Sequence, residues 1–300
     1  MIDLELNQRA DPRYNPPASP MHLCTMRREL HRRPHMERRP GTGQPNRYRL
    51  DQLTSLERQW LEQDLERAAE FQRQLLPDEN LRCEGWEISY SYKAFGPLGG
   101  DYCDIVKSGP EGKDMFVALG DACGRGVAAS LLMAQLFAIL RTLGSANLPI
   151  LEVMERANDI LCQPCFRPSF VTLVCVRATS EGEVEICNAG HCSPILVGRC
   201  GGTQIDSGGL PLGLFTAARW SLTRMRVAKG ETLVLYTDGL TEARDSCDDE
   251  YGADRLLRKV REGSTLPPQS LVETCIQSVA AFQKGAPPSD DATVMAMRCV

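Results

Sequence analysis

Apolar positions first fall into a helical rhythm between Asp51 and Leu76. There Leu61, Leu65, Ala68, Gln72 and Leu75 recur at spacings of four, three, four and three, a heptad-like seam. Pro77 ends the run, because proline has no amide hydrogen to donate and its ring clashes with the preceding turn. Two uses suit a seam this short: packing onto the body of the same chain, or dimerisation through residues 51–76. Beyond Pro77, strand-like runs are expected at Trp86–Phe95, Lys113–Leu119, Phe170–Arg177, Glu183–Cys187, Glu231–Tyr236 and Ala292–Cys299. Helical patterns are expected at Val127–Leu143, Ile150–Cys162, Ala253–Val260 and Pro268–Phe282. The strands come in runs joined by short turns such as Thr179-Ser180-Glu181-Gly182, not in strict alternation with helices. That order predicts an α+β fold with antiparallel sheets and helices on the outside. Residues 1–50 show little apolar periodicity and read as an Arg/Pro-rich tail without fixed structure. The organisation is thus a tail (1–50), a linker helix (51–77) and a domain over 78–300.

Charge divides the chain the same way. Residues 1–50 hold ten Arg and five Asp or Glu, so they are basic, and the remainder is acidic enough to bring the total to −5. An acidic body argues against nucleic acid as the main partner. Three of the four His lie in the tail, which leaves His191 alone in the body. A His-based metal or catalytic cluster is therefore hard to build, whereas a carboxylate site is easy. The opening Met1-Ile2-Asp3-Leu4-Glu5 lacks the basic and apolar segments of a secretory leader. The longest apolar stretch, Val127 to Leu140, is short for a bilayer span. These features predict a cytoplasmic protein in which the thirteen Cys are mostly reduced and buried. The lone Cys162-Gln163-Pro164-Cys165 pair has no second pair and no nearby His, so buried thiols explain it better than zinc.

Four Asp residues share one local setting, where a β-rich run meets a Gly-containing turn. They are Asp101 in Gly99-Gly100-Asp101-Tyr102-Cys103-Asp104, Asp121 in Gly120-Asp121-Ala122-Cys123-Gly124-Arg125-Gly126, Asp238 in Tyr236-Thr237-Asp238-Gly239, and Asp290 in Ser289-Asp290-Asp291-Ala292. An Asp at a strand end stands on a rigid support, and a neighbouring Gly lets backbone or ligand approach. Convergence of such ends gives hard oxygen donors suited to Mg²⁺ or Mn²⁺. Each motif alone is ordinary turn chemistry. Gly-Gly-Asp suggests a nucleotide cyclase loop, but Tyr102-Cys103 stand where Glu-Phe would be required. Thr237-Asp238-Gly239 suggests an aspartyl-phosphate phosphatase, but Tyr236 stands where the nucleophilic Asp belongs.

The ordered combination is more specific. Ala69–Pro77, Gly99–Asp104, Gly120–Ala129, Asn188-Ala189-Gly190-His191, Leu210-Pro211-Leu212-Gly213, Tyr236–Ala243 and Asp290–Val294 follow one another as in the protein-phosphatase-2C-like (PPM) family. The chain resembles the bacterial SpoIIE/RsbU branch of that family from about Leu61 to Val300. The resemblance implies a four-layer α-β-β-α sandwich with two Mn²⁺ or Mg²⁺ ions at one end. It implies that Asp121 bridges the ions, that the Ala122 carbonyl helps hold one, and that Asp238 and Asp290 bind the other. Asp101 would bind directly or through water. Asp291 is the alternative to Asp290, and Asp104 reads as a supporting residue. The implied activity is a metal-dependent protein serine/threonine phosphatase, a hydrolase in which activated water attacks phosphorus and no Cys or Ser nucleophile is needed.

Two departures from the branch stand out. Arg125 occupies a position where His is common, and its fork suits phosphate oxygens, so it is a candidate substrate contact. Cys103 replaces an aromatic residue and reads, with Cys123, as packing. His191, in a turn-like setting, reads as a structural hydrogen-bonding residue. By resemblance the substrate is a phosphorylated protein, a STAS-type anti-anti-sigma factor in a partner-switching signalling circuit. The helix over 51–76 would be the regulatory element. The competing reading is a catalytically weak fold of the same kind that only binds a partner. A redox-sensing scaffold is the third.

Overall fold

The computed structural model describes residues 54–300 apart from 110–112, 164–168, 200 and 207. The tail over 1–50 and the second Cys of the Cys162–Cys165 pair lie outside the described residues. Helix α1 (Ser55–Leu75) begins at Thr54, whose hydroxyl accepts from the Glu57 amide while the Glu57 carboxylate accepts from the Thr54 amide. Such a reciprocal cap satisfies donors that a helix start leaves open. The expected seam divides in two. Leu61 is exposed, whereas Leu65, Ala68 and Leu75 are half-buried and Gln72 is buried. The C-terminal half of the helix therefore packs onto the body.

Among the described residues, eleven strands follow: β1 (Asn80–Cys83), β2 (Trp86–Lys93), β3 (Asp101–Ser108), β4 (Asp114–Ala122), β5 (Val171–Ala178), β6 (Glu183–Ala189), β7 (Ile195–Gly198), β8 (Gly201–Gln204), β9 (Leu222–Arg226), β10 (Thr232–Tyr236) and β11 (Ala292–Cys299). They form two wholly antiparallel sheets, ordered β1-β2-β11-β10-β7-β8 and β3-β4-β5-β6-β9. Helices α2 (Val127–Ser145) and α3 (Ile150–Leu161) cover the second sheet. After a single helical turn, α4 (Asp238–Thr241), come α5 (Ala253–Glu262) and α6 (Pro268–Gln283), which cover the first.

Alternation along the strands produces the layering. In β4, Met115, Val117 and Leu119 face the core between the sheets, while Phe116 and Ala118 face the helices. In β10, Leu233 and Leu235 point inward while Val234 and Tyr236 meet α5 and α6. Strands buried on both faces read as continuous apolar runs, which is why these were visible in the sequence. The result is the α-β-β-α sandwich, an α+β fold.

Helix α2 runs further than the apolar stretch suggested. By length and composition it is the one helix among the described residues that could cross a membrane. Its Leu132, Met133, Leu136 and Leu140 are instead buried in a core with β3, β4 and β5. Arg141, in its last turns, donates from Nε (2.8 Å) and Nη2 (2.6 Å) to the buried Asp104 carboxylate. Asp104 also accepts from the Tyr102 hydroxyl. Asp104 thus ties α2 to β3, the supporting position the motif suggested.

Candidate active site

All four Asp positions lie where strands begin or end, but not all in turns. Asp101 opens β3, and Asp121 is the last but one residue of β4. Their Cα atoms are direct partners in the antiparallel register. Asp238 starts α4, one residue after Thr237 leaves β10, and Asp290 stands two residues before β11. Both sheets therefore send carboxylates to a common edge.

Asp101 is buried, at 1% exposure. Its Oδ2 accepts from the hydroxyls of Thr293 (2.6 Å) and Thr237 (2.9 Å). Those threonines belong to β11 and the end of β10, so one carboxylate of the second sheet is held by hydroxyls of the first. Burial holds the Asp101 carboxyl well above the ordinary range; the threonine bonds oppose this, and Asp291 and Asp238 nearby add to it. Thr237 and Thr293 were not singled out in the sequence. Both sit inside the motifs, next to residues that were.

The adjacent pair Asp290-Asp291 separates cleanly. Asp291 is buried, and its two oxygens accept from the backbone amides of Phe95 (2.7 Å) and Gly100 (2.6 Å). Burial raises its pKa, and the amide bonds lower it. Asp290 is half-buried; its Oδ1 accepts from the Asp291 amide, and its Oδ2 meets Arg125 Nη2 at 2.9 Å. Arg125 also lies over the Phe95 ring, 5.7 Å from its centre.

His191 is buried, with Nδ1 2.9 Å from the Thr172 hydroxyl and its backbone amide donating to the Asn188 side chain. Thr172 is the register partner of Asp121 on β5. The ring is thereby built into the strand beside the site. Cys103 is fully buried between the sheets, where burial pushes its thiol up, and Cys123 packs against the core under α2. Both fit packing roles. No described cysteine is in a disulfide.

Among the described residues, no group of three or more His, Cys, Asp or Glu side chains is already gathered closely enough to hold a metal ion. The donors nonetheless suit a hard divalent cation, being carboxylates and one backbone carbonyl. Gly100 keeps a cradle open beside them. A Cβ there would lie 3.1 Å from the Ala122 carbonyl oxygen and 3.6 Å from Asp121 Oδ1. A side chain at 100 would fill the space in front of both candidate ligands.

The sequence model of the SpoIIE family (Stage II sporulation protein E) matches residues 111–300. The chain belongs to the SpoIIE family. The membership expected from the ordered motifs is thus borne out. The family match begins beyond Asp101 and α1, so those positions rest on the geometry above. The IcfG protein of Synechocystis sp. is 22% identical over 264 residues, covering 78% of this chain and 41% of that protein. Phosphoserine phosphatase RsbU of Bacillus subtilis is 23% identical over 189 residues, covering 62% of this chain and 56% of that one. The chain thus spans about half the length of these curated relatives. Among solved structures, the SiaA-PP2C domain of Pseudomonas aeruginosa superposes with a TM-score of 0.70 at 16% identity, over 82% of this chain and 100% of that one. At that identity the likeness establishes the fold, and it is the PP2C-type sandwich.

Proposed function

We propose that the chain is a metal-dependent protein serine/threonine phosphatase. It would hydrolyse phosphoserine or phosphothreonine with water activated by two Mn²⁺ or Mg²⁺ ions. The observation that carries this reading is the facing register of Asp101 and Asp121 at the edge where Asp238 and Asp290 also arrive, with Gly100 leaving the Ala122 carbonyl open. Family membership supports it, as does the description of RsbU as a phosphoserine phosphatase.

Asp121, the Ala122 carbonyl, Asp238 and Asp290 would hold the ions, with Asp101 binding directly or through water. Divalent ions bound there would neutralise phosphoryl oxygens and acidify a water for in-line attack. Asp101, anchored by Thr237 and Thr293, fixes the start of β3 against β4 so that Asp121 keeps its bearing. Arg125, paired with Asp290 in the structure, would be free to take a phosphate oxygen with its fork if Asp290 held an ion instead. Arg125 would act there by binding phosphoryl charge through its planar fork.

The phosphoprotein substrate we favour is a STAS-type anti-anti-sigma factor in a cytoplasmic partner-switching circuit. A homodimer through α1 is part of the same reading, because Leu56, Trp60, Leu61 and Phe71 leave apolar surface open on that helix. The competing reading, a partner-binding module with weak catalysis, draws support from the Arg125 contact to Asp290. Phosphate release from phosphoserine peptides separates the two. Turnover that appears with Mn²⁺ and stops with chelator is the expected result. Partner capture without metal-dependent turnover would leave the binding module standing.

A further inference from the structure

Gln72 is the polar member of the apolar seam on α1, and it is 6% exposed. Its side-chain amide grips a single residue across 27 positions of sequence. Nε2 donates to the Gly99 carbonyl at 2.7 Å, and Oε1 accepts from the Gly99 amide at 3.0 Å. The next residue is held as firmly. The Gly100 amide donates to Asp291 Oδ2 at 2.6 Å, and the Gly100 carbonyl accepts from the Ala122 amide at 3.1 Å. All four backbone polar groups of Gly99-Gly100 are therefore engaged, half of them by a helix that belongs to neither sheet.

The two glycines leave no room for side chains that might hold the loop instead. A Cβ on Gly99 would lie 2.2 Å from the Tyr92 hydroxyl, and one on Gly100 would lie 3.0 Å from the Ala129 Cβ. The position of the loop is thus set by hydrogen bonds from outside it. Its neighbours are the candidate ligands. Asp101 follows directly, and Ala122, bonded to Gly100 through its amide, offers its carbonyl to the cradle. Docking of α1 does not need Gln72, because Leu75 and Leu76 already pack against the cores. A buried amide gives up its water for its bonds and so adds little to docking strength; what it adds is direction.

We propose that Gln72 is a positioning residue for the metal cradle, setting the Gly99-Gly100 peptides that aim Asp101 and the Ala122 carbonyl. The proposal rests on the metal-dependent reading given above. It is tested on the full chain by Mn²⁺ titration without substrate and by hydrogen exchange at the Gly99 amide. Wild type is compared with Gln72→Leu, Gln72→Glu and the exposed near neighbour Gln74→Ala. Residues that orient metal ligands typically contribute 10–100-fold in metal affinity, so Gln72→Leu should weaken Mn²⁺ binding by roughly that factor. The Gly99 amide should exchange faster, and saturating Mn²⁺ should restore most of the turnover. Gln74→Ala should change none of these. Gln72→Glu keeps the acceptor for the Gly99 amide but turns an anionic oxygen toward the Gly99 carbonyl. It should weaken Mn²⁺ in the same direction and serves alone if Gln72→Leu does not fold. Wild-type Mn²⁺ affinity in a folded variant whose Gly99 amide has lost protection would overturn the proposal and reduce Gln72 to a docking contact. Wild type that binds no Mn²⁺ at all would overturn the metal reading itself, a result plainly different from the first.

Discussion

The candidate site has an inner and an outer half, and they are built on opposite principles. In the inner half, Asp101 and Asp291 are buried and held by the chain's own donors: two threonine hydroxyls on one oxygen of Asp101, and one backbone amide on each oxygen of Asp291. In the outer half, Asp121, Asp238 and Asp290 are only half-buried, and the cation nearest Asp290 is a largely exposed arginine. Adjacent residues of identical type, Asp290 and Asp291, fall on different sides of this divide. A buried carboxylate held by fixed donors is oriented by the fold. One at the rim can change partners. Substitutions should accordingly cost stability in the inner half and activity in the outer half.

The largest separation is expected at the outer residues. Losing one metal-holding carboxylate should remove several kcal/mol of transition-state charge stabilisation, or about 10³-fold in turnover for Asp121→Asn and Asp238→Asn. Both should unfold within about 0.5 kcal/mol of wild type, as surface substitutions do. Steady-state phosphate release and urea unfolding on the same samples check the pair. Undiminished turnover in either variant would remove that residue from the site.

Next in size is the inner contrast. Asp291→Ala orphans the buried Gly100 amide and the partly buried Phe95 amide, each bonded to a charged acceptor, and should cost on the order of 3 kcal/mol in urea unfolding. Asp290→Ala, which gives up a partly exposed ion pair, should cost less than about 1 kcal/mol. Equal losses from the two would erase the division between the halves. A steric probe complements the polar one. A Cβ at Gly239 would sit 1.8 Å from the Asp291 carbonyl oxygen. Gly239→Ala must therefore push the turn before β11 aside, with a loss of about 1–3 kcal/mol.

How far the sequence could be read follows the same physics. Strands β4, β5, β10 and β11 were legible because burial on both faces demands an apolar residue at nearly every position, and β2 because Trp86, Ile88, Tyr90 and Tyr92 alternate with polar residues. Strand β3 was missed: Asp101 and Asp104 lower its strand propensity, and its pairing with β4 overrides them. The short β8, Gly201-Gly202-Thr203-Gln204, has no apolar residue to betray it. Asp238 was placed in a turn but begins a helical turn. The candidate carboxylates were picked out by motif order alone. What surrounds them was not, because Thr237 and Thr293 act across sheets and Gln72 acts from a helix. A glutamine interrupting a leucine seam was the available signal, and it was read as a seam position.

The smallest effect is also the one that tests whether the outer half can exchange partners. Arg125 and Asp290 have side chains 59% and 32% exposed, so solvent and salt weaken their attraction. An exposed pair of this kind contributes up to about 1 kcal/mol. If Asp290 must leave Arg125 to bind a cation, Arg125→Gln should bind Mn²⁺ more tightly, by up to about fivefold. If the freed guanidinium then meets the substrate, the same variant should raise KM for a phosphoserine peptide while kcat changes little. Arg125→Lys should separate the two effects. Its point charge still competes for Asp290, but without the planar fork it cannot hold two phosphate oxygens at once. Metal affinity in the Lys variant should therefore stay near wild type while KM rises. Added salt should narrow the metal difference between wild type and Arg125→Gln, because screening removes the competing ion pair first. An Arg125→Gln variant with unchanged Mn²⁺ affinity at low salt would mean that Asp290 gives up nothing to bind metal. The arginine would then be a bystander over the Phe95 ring.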